Sequence, residues 1–269
     1  KDFHAAHSQL DEKAVEARPQ AAMLDFQLRH EKGDFDDASA VAQKYLDRHG
    51  DYPPLLAAVS VLAMDVDDEE LARECALKAG NHPDALTTLA TLTLGEQRND
   101  EARAMFERAL QGNAHSPRAW IGLGLAEMAS GDTGKAVVNL DRGAEMFGDH
   151  LGSWIAAGWG YFLSGNLPAA RERFQTALDL DDSFAESHGS LAVVEILEGD
   201  LDAGRRRLEI ARRLDRESFS AAFAQVLLAA GEGDADKAQR IFEIALKQPI
   251  DAKGRTVADA LGTIAMGRA

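Results

Sequence analysis

Residues 116–184 of this chain repeat themselves with a spacing of 34 residues. The positions that superimpose share side-chain size, and they are Trp120 with Trp154, Gly124 with Gly158, Gly131 with Gly165, Ala136 with Ala170, and Leu140 with Phe174. A period of this length, carrying an aromatic residue, a Gly-led turn and then Ala, is typical of a helix–turn–helix unit. Such a unit cannot bury its apolar face alone, so the sequence predicts that successive units stack on one another.

The same spacing extends over most of the chain as columns of like residues. One column, which we call the first column, consists of Leu86, Trp120, Trp154, His188 and Ala222. A column of small residues is Ala102, Ala136, Ala170, Gly204 and Ala238, and a column of large ones is Phe106, Leu140, Phe174, Leu208 and Phe242. Large side chains opposite small ones allow helices to pack closely. The turn between the two helices recurs as Gly131-Asp132, Gly165-Asn166, Gly199-Asp200 and Gly233-Asp234, where Gly tolerates positive φ and Asp or Asn caps the next helix.

With these columns the chain resembles a tetratricopeptide repeat (TPR) protein. The resemblance implies an all-α fold, a right-handed superhelical solenoid of about seven helix–turn–helix repeats with terminal capping helices. The predicted repeats are 19–52, 53–82, 83–116, 117–150, 151–184, 185–218 and 219–252. The second is truncated, and GEGD at 231–234 leaves the register of the seventh repeat's first helix open. Residues 1–18 are predicted to be an N-terminal helix or linker, and 253–269 a C-terminal capping helix.

Charge and composition narrow the classes of function. The formal net charge is −16, which disfavours surfaces for nucleic acid or anionic membranes, because both need concentrated Lys and Arg. One cysteine, Cys75, allows no internal disulfide. No apolar run approaches the ~20 residues of a membrane span, so direct membrane insertion is not expected. A cytoplasmic location is favoured, but a periplasmic or membrane-tethered one fits if a leader or anchor is missing.

No set of residues carries a catalytic signature. SGDTGK at 130–135 ends like a phosphate loop, but it lacks the leading Gly, the closing Ser/Thr and a preceding strand, and the repeat turn explains it. His4 and His7 share a helical face, yet no third metal ligand is fixed beside them. The sequence therefore predicts no enzyme activity, no cofactor and no metal site.

In the TPR family the first helices line a concave groove that commonly binds peptide segments of partner proteins. The fifth, ninth and twelfth residues of each repeat form one stripe of the first helix. The candidate partner-binding residues in this stripe are Met64, Leu94, Ile121, Leu125, Met128, Ile155, Trp159, Phe162, Val193 and Ile196; the seventh repeat contributes Phe223, Leu227 and Ala230. The central stripe has no Lys, Arg or Asn, which argues against the carboxylate clamp of co-chaperone TPRs.

The predicted function is a non-enzymatic scaffold or adaptor that binds an apolar or amphipathic partner segment, as TPR secretion chaperones and assembly factors do. Two alternatives stay open. The same side chains suit an ordinary core between helices, and the groove suits a helix of a neighbouring copy, such as residues 1–18, in a self-associating scaffold.

A secondary basic patch is predicted at Arg205, Arg206, Arg212 and Arg213. The competing interpretation of that patch is a solvated helix face paired with carboxylates.

Overall fold

The computed structural model describes Val15, residues 17–33 and residues 35–247. The predicted C-terminal capping helix, the His4/His7 pair and most of the predicted N-terminal segment lie outside these residues. The described chain is built from helices, and no strand occurs in it. The predicted all-α repeat fold is confirmed.

Fourteen helices follow one another through the described residues, as seven antiparallel pairs. They are α1 Pro19–Glu31, α2 Phe35–His49, α3 Pro53–Asp65, α4 Glu69–Ala79, α5 Pro83–Gly95, α6 Asn99–Gly112, α7 Pro117–Ala129, α8 Thr133–Phe147, α9 Leu151–Leu163, α10 Leu167–Leu180, α11 Ala185–Leu197, α12 Leu201–Leu214, α13 Phe219–Gly231 and α14 Ala235–Leu246. Helix α4 has 11 residues where α6 has 14, so the second pair is the one with a shortened second helix.

The chain divides into two compact units between Gly122 and Leu123, inside α7. We call the part up to Gly122 unit 1 and the part from Leu123 unit 2. Each unit is described separately below.

The turns within the pairs show why Gly recurs there. Positive φ angles of 80° to 92° occur at the turn glycines, which are Gly131, Gly165, Gly199 and Gly233. The residue after each Gly caps the next helix through its side chain: Asp132 accepts from the Lys135 N–H, Asn166 from Ala169, Asp200 from Ala203, and Asp234 from Lys237. Both halves of the turn prediction are confirmed, and Gly233 fixes the end of α13 that the sequence left open.

Packing inside each pair follows the columns of small and large residues. Phe106, Leu140 and Phe174 are fully buried on the second helices. A Cβ atom added to Gly158 of α9 would lie 2.2 Å from a ring carbon of Phe174, and one added to Gly124 of α7 would lie 2.7 Å from Leu140. These glycines let the paired helices approach until the large side chain fills the space between them.

A ring N–H joins successive pairs at the first column. In each case the acceptor is the backbone carbonyl six residues earlier, in the loop that leads into the helix. The bonds run from Trp120 Nε1 to Ala114 (2.9 Å), from Trp154 Nε1 to Gly148 (2.8 Å) and from His188 Nε2 to Asp182 (2.9 Å). His188 is buried, as its place in the column predicts, and it reproduces the hydrogen bond of the indole it replaces. Three of the five residues in this column, Trp120, Trp154 and His188, therefore share a ring with an N–H donor, while Leu86 and Ala222 have none.

The Gly158→Ala variant tests the close approach of α9 and α10. A methyl group at this site overlaps the Phe174 ring, so we expect a loss of about 1–3 kcal/mol in the free energy of unfolding. Gly134→Ala in α8 is the matched control, because its nearest atom would lie 4.0 Å away, and we expect it to be neutral or stabilising by up to about 1 kcal/mol. Urea unfolding followed by circular dichroism measures both; equal midpoints would show that Gly158 has no packing role.

The His188→Phe variant tests the ring N–H. It keeps the ring but leaves the Asp182 carbonyl unpaired, so we expect unfolding to become easier by about 1 kcal/mol. His188→Trp restores the donor of the neighbouring repeats and should recover most of that loss. The same urea titration decides the question, and a Phe variant as stable as the Trp variant contradicts it.

Candidate functional site

The ten candidate side chains do not share one environment. Seven are partly exposed on the first helices of their repeats, as an open face requires: Met64, Leu94, Ile121, Leu125, Met128, Trp159 and Phe162. The other three are buried, with exposed fractions of 9% for Ile155, 8% for Ile196 and 0% for Val193. Val193 and Ile196 pack into one core cluster with Leu208 and Leu228. These three side chains belong to the interior, which is the alternative the sequence left open for them.

Two of the partly exposed candidates of unit 2, Trp159 and Phe162, belong to an aromatic cluster. The ring centroids of Trp159 and Phe162 on α9 lie 5.0 Å apart, edge to face. Phe223 on α13 lies 5.9 Å from Trp159 and 6.3 Å from Phe162. Phe219 lies one turn before Phe223, with its ring parallel at 6.5 Å, and is 40% exposed. With Leu227, these four rings form what we call the aromatic face.

The aromatic face extends from α9 to α13 across the helix between them, α11, which has a glycine where it meets α13. On α11, between α9 and α13, the buried Gly189 faces Ala221 of α13 so closely that an added Cβ would lie 2.6 Å from the Ala221 nitrogen. The absence of a side chain there brings α13 close to α11. Phe223 can then reach over α11 and contact Trp159 and Phe162.

Trp159 has a structural as well as a surface position. Its ring also lies 5.6 Å from that of Phe174, which is fully buried, and it packs against two core clusters. Phe162 packs against the same two clusters and Phe223 against one of them. Of these rings, Trp159 is the one in contact with the buried Phe174, so Phe162 and Phe223 are the better positions at which to probe the surface. Phe219 was not among the sequence candidates. Its position four residues before Phe223, on the same side of α13, could have identified it from the sequence.

Three first helices of unit 1 are joined by a polar cluster of His30, Asp65 and Arg118. The Asp65 carboxylate, at the end of α3, accepts from His30 Nε2 of α1 at 2.7 Å and from one guanidinium nitrogen of Arg118 of α7 at 2.7 and 2.9 Å. Burial alone raises the pKa of Asp65, but the hydrogen bond from His30 and the charge of Arg118 outweigh it and hold that pKa below its ordinary value. Arg118 and Asp65 fall outside the three stripe positions, so the sequence analysis did not identify this ion pair.

The predicted basic patch is partly neutralised by the chain itself. Arg205 pairs with Asp202 and with Glu232, and Arg213 pairs with Glu209. Arg206 and Arg212 are exposed and make no ion pair with a described residue. The patch therefore combines two paired and two free guanidinium groups on α12.

Among the described residues, no group of three or more His, Cys, Asp and Glu side chains could hold a metal ion. Cys75 is buried, and burial raises the pKa of its thiol to about 11, so little thiolate forms at neutral pH. Among the described helices, none is long and apolar enough to cross a membrane.

Comparison with known proteins agrees with this architecture. A family model described as a tetratricopeptide repeat matches residues 93–152, from within α5 to the start of α9. The described chain has the tetratricopeptide repeat fold, and residues 93–152 match the family itself. Its fold is that of a protein–protein interaction scaffold. A search of curated proteins finds no match.

Several solved structures share the TPR fold at low sequence identity. A chain of the APC/C hetero-tetramer Cut9-Hcn1 matches with a TM-score of 0.68 and 18% identity, over 98% of this chain and 52% of that one. The present chain thus spans about half the length of that relative. Pseudomonas aeruginosa pilF matches with a TM-score of 0.59 and 16% identity, over 76% and 94% of the two chains. YrrB, described as a TPR protein with an unusual peptide-binding site, matches with a TM-score of 0.52 and 18% identity, over 68% and 96%.

The Asp65→Asn variant tests the ion pair on unit 1. Because the pKa of Asp65 is lowered in the folded state, its contribution to stability is present at neutral pH and is lost as the pH falls below about 4. We expect the variant to be less stable than the parent protein by about 1 kcal/mol at pH 7, and the difference to shrink toward pH 3. Urea midpoints measured across this range check the expectation. Asp51→Asn, an exposed carboxylate, is the control, and identical pH profiles for the two variants would refute it.

Proposed function

We propose that this chain is a non-enzymatic adaptor that holds an apolar or amphipathic segment of a partner protein on the aromatic face of unit 2. The observation that supports this most directly is the group of partly exposed rings on α9 and α13, made by Trp159, Phe162, Phe219 and Phe223. Aromatic side chains concentrate the binding energy of protein interfaces, because they bury a large area with few rotatable bonds.

Apolar surface continues beyond the rings. Leu163, at the end of α9, is 57% exposed, and Leu197, at the end of α11, is 46% exposed. Leu197 lines one groove together with Leu227 of the aromatic face, and contiguous apolar surface marks interaction sites in water-soluble domains. An apolar segment that covers it removes this surface from water, at about 25 cal/mol for each Å² buried.

The proposal takes general support from the similar structures. One is a chain of a hetero-tetramer, and another is described by its peptide-binding site. A role in secretion or in the assembly of a larger complex is part of the proposal. It includes no catalytic step: the buried Cys75 is a poor nucleophile, His150 caps α9, and His188 bonds to the Asp182 carbonyl.

The double variant Phe162→Ala/Phe223→Ala tests the proposal. The probe is a fluorescein-labelled amphipathic helical peptide with a Leu face and an uncharged Gln/Ser face, and the measurement is fluorescence anisotropy. Loss of two anchoring rings should weaken binding about tenfold or more, because truncating an interface anchor costs more than about 1 kcal/mol. Val138→Ala, which truncates an apolar side chain 64% exposed on α8, should leave affinity within about twofold.

Circular dichroism establishes that the double variant keeps its helices. If the folded variant binds the peptide as tightly as the parent protein, the aromatic face is not the site. If the parent protein forms oligomers by light scattering that the double variant does not form, the face is instead occupied by a neighbouring copy.

A further inference from the structure

The three helices that carry the aromatic face contain no lysine or arginine. Helices α9 (LGSWIAAGWGYFL) and α13 (FSAAFAQVLLAAG) carry no acidic or basic side chain either. On α11 the acidic residues are Glu186 and Glu195, one bonded to Ser220 and the other buried. These three helices therefore offer no positive side chain to a partner. Arg205 of α12 lines a groove with Leu197 and Leu227, and it is paired with Glu232.

The loops that lead into these helices are acidic. Immediately before α9, α11 and α13 lie five exposed carboxylates and one basic residue, Arg216. We call the carboxylates the acidic rim, and they are Asp149, Asp181, Asp182, Asp215 and Glu217. All of them lie in the loops at the N-terminal ends of the three helices, and Glu217 is two residues before Phe219, the first residue of α13.

Two members of the acidic rim are fixed by their own loops. Asp181 Oδ1 accepts from the Ser183 N–H at 2.8 Å, and Asp215 Oδ1 accepts from the Glu217 N–H at 2.8 Å. The carboxylates of Asp149 and Asp182 accept no hydrogen bond from a described residue. They are exposed and free to pair with a partner.

At the C-terminal ends of α11 and α13 the acidic residues are paired within the chain. Glu198 follows α11 and pairs with Arg171, and Glu232 follows α13 and pairs with Arg205 at 2.9 Å. Their charges are compensated within the chain, and the neighbouring Leu163 and Leu197 are exposed. The face thus has an acidic end and an apolar end.

We propose that the aromatic face recognises a cationic amphipathic segment of a partner protein, with its apolar side chains on Phe162, Phe223 and Leu197 and its Lys or Arg side chains at the acidic rim. This rests on the proposed function and adds the charge of the partner to it. The net charge of −16 favours the encounter, and the acidic rim sets the orientation of the bound segment.

Two further peptides test the charge of the partner on the intact protein. Both keep the Leu face of the uncharged probe, and the polar face is Lys in one and Glu in the other. We expect the Lys peptide to bind about tenfold or more tightly than the Glu peptide at low salt, and the ratio to fall at about 1 M salt, where charges are screened within about 3 Å. A scrambled Lys peptide without an apolar face should bind at least tenfold more weakly than the amphipathic one, as aromatic anchoring requires.

Substitution at the acidic rim separates specific recognition from the general charge of the chain. Asp149→Asn/Asp182→Asn should weaken the Lys peptide about threefold to tenfold, since exposed ion pairs contribute modestly to affinity, and should leave the uncharged peptide unchanged. Asp51→Asn/Glu107→Gln removes two exposed carboxylates from unit 1 and should alter neither peptide by more than about 1.5-fold.

The outcomes distinguish the two proposals. If no amphipathic peptide depends on Phe162 and Phe223, the proposed function fails. If the uncharged, Lys and Glu peptides all bind with equal affinity through those rings, only the inference about charge fails. Equal loss in the two carboxylate variants also overturns that inference. An unlabelled peptide of residues 1–18 that displaces the probe more effectively than the Lys peptide would assign the face to this chain's own terminus.

Discussion

The close approach of paired helices is the constraint on which the remaining structure depends. Gly124 and Gly158 have no side chain where Leu140 and Phe174 enter, so each pair closes around one large residue of its second helix. A pair closed in this way still leaves an apolar side uncovered, and the next pair covers it. The ring N–H groups of Trp120, Trp154 and His188 then join α7, α9 and α11 to the loops that precede them. Tight pairs, stacking and anchored loops are therefore linked consequences of one distribution of large and small residues.

The period of the sequence predicts the fold well because it records these contacts directly. Every repeat must place a small residue, a large residue and a turn at the same distances, so helix bounds and turns can be derived by counting. His188 shows the limit of counting by size. Its ring is smaller than indole, but its Nε2 hydrogen makes the same bond to a carbonyl six residues earlier. Only the coordinates show that donor and acceptor meet.

The candidate site was less predictable, for a physical reason. A stripe of positions gives the direction of a side chain but not what lies opposite it. Val193 and Trp159 occupy equivalent positions in adjacent repeats, yet Val193 is fully buried and Trp159 is partly exposed. The difference arises from contacts between helices that are distant in sequence, and these contacts are invisible to a one-helix pattern. Arg118 and Asp65 were missed for the same reason, because they meet across 53 residues of chain.

Gly189 has a consequence for how such a surface can change. It contributes no atom to the aromatic face, yet an added Cβ would lie 2.6 Å from the Ala221 nitrogen of α13, the helix whose Phe223 contacts Trp159. A larger residue at this position pushes two helices apart and disperses the rings without altering any of them. The shape of the surface thus depends on a buried residue that is not part of it. Related chains can differ in the segment they bind through one buried methyl group, while every exposed side chain stays the same.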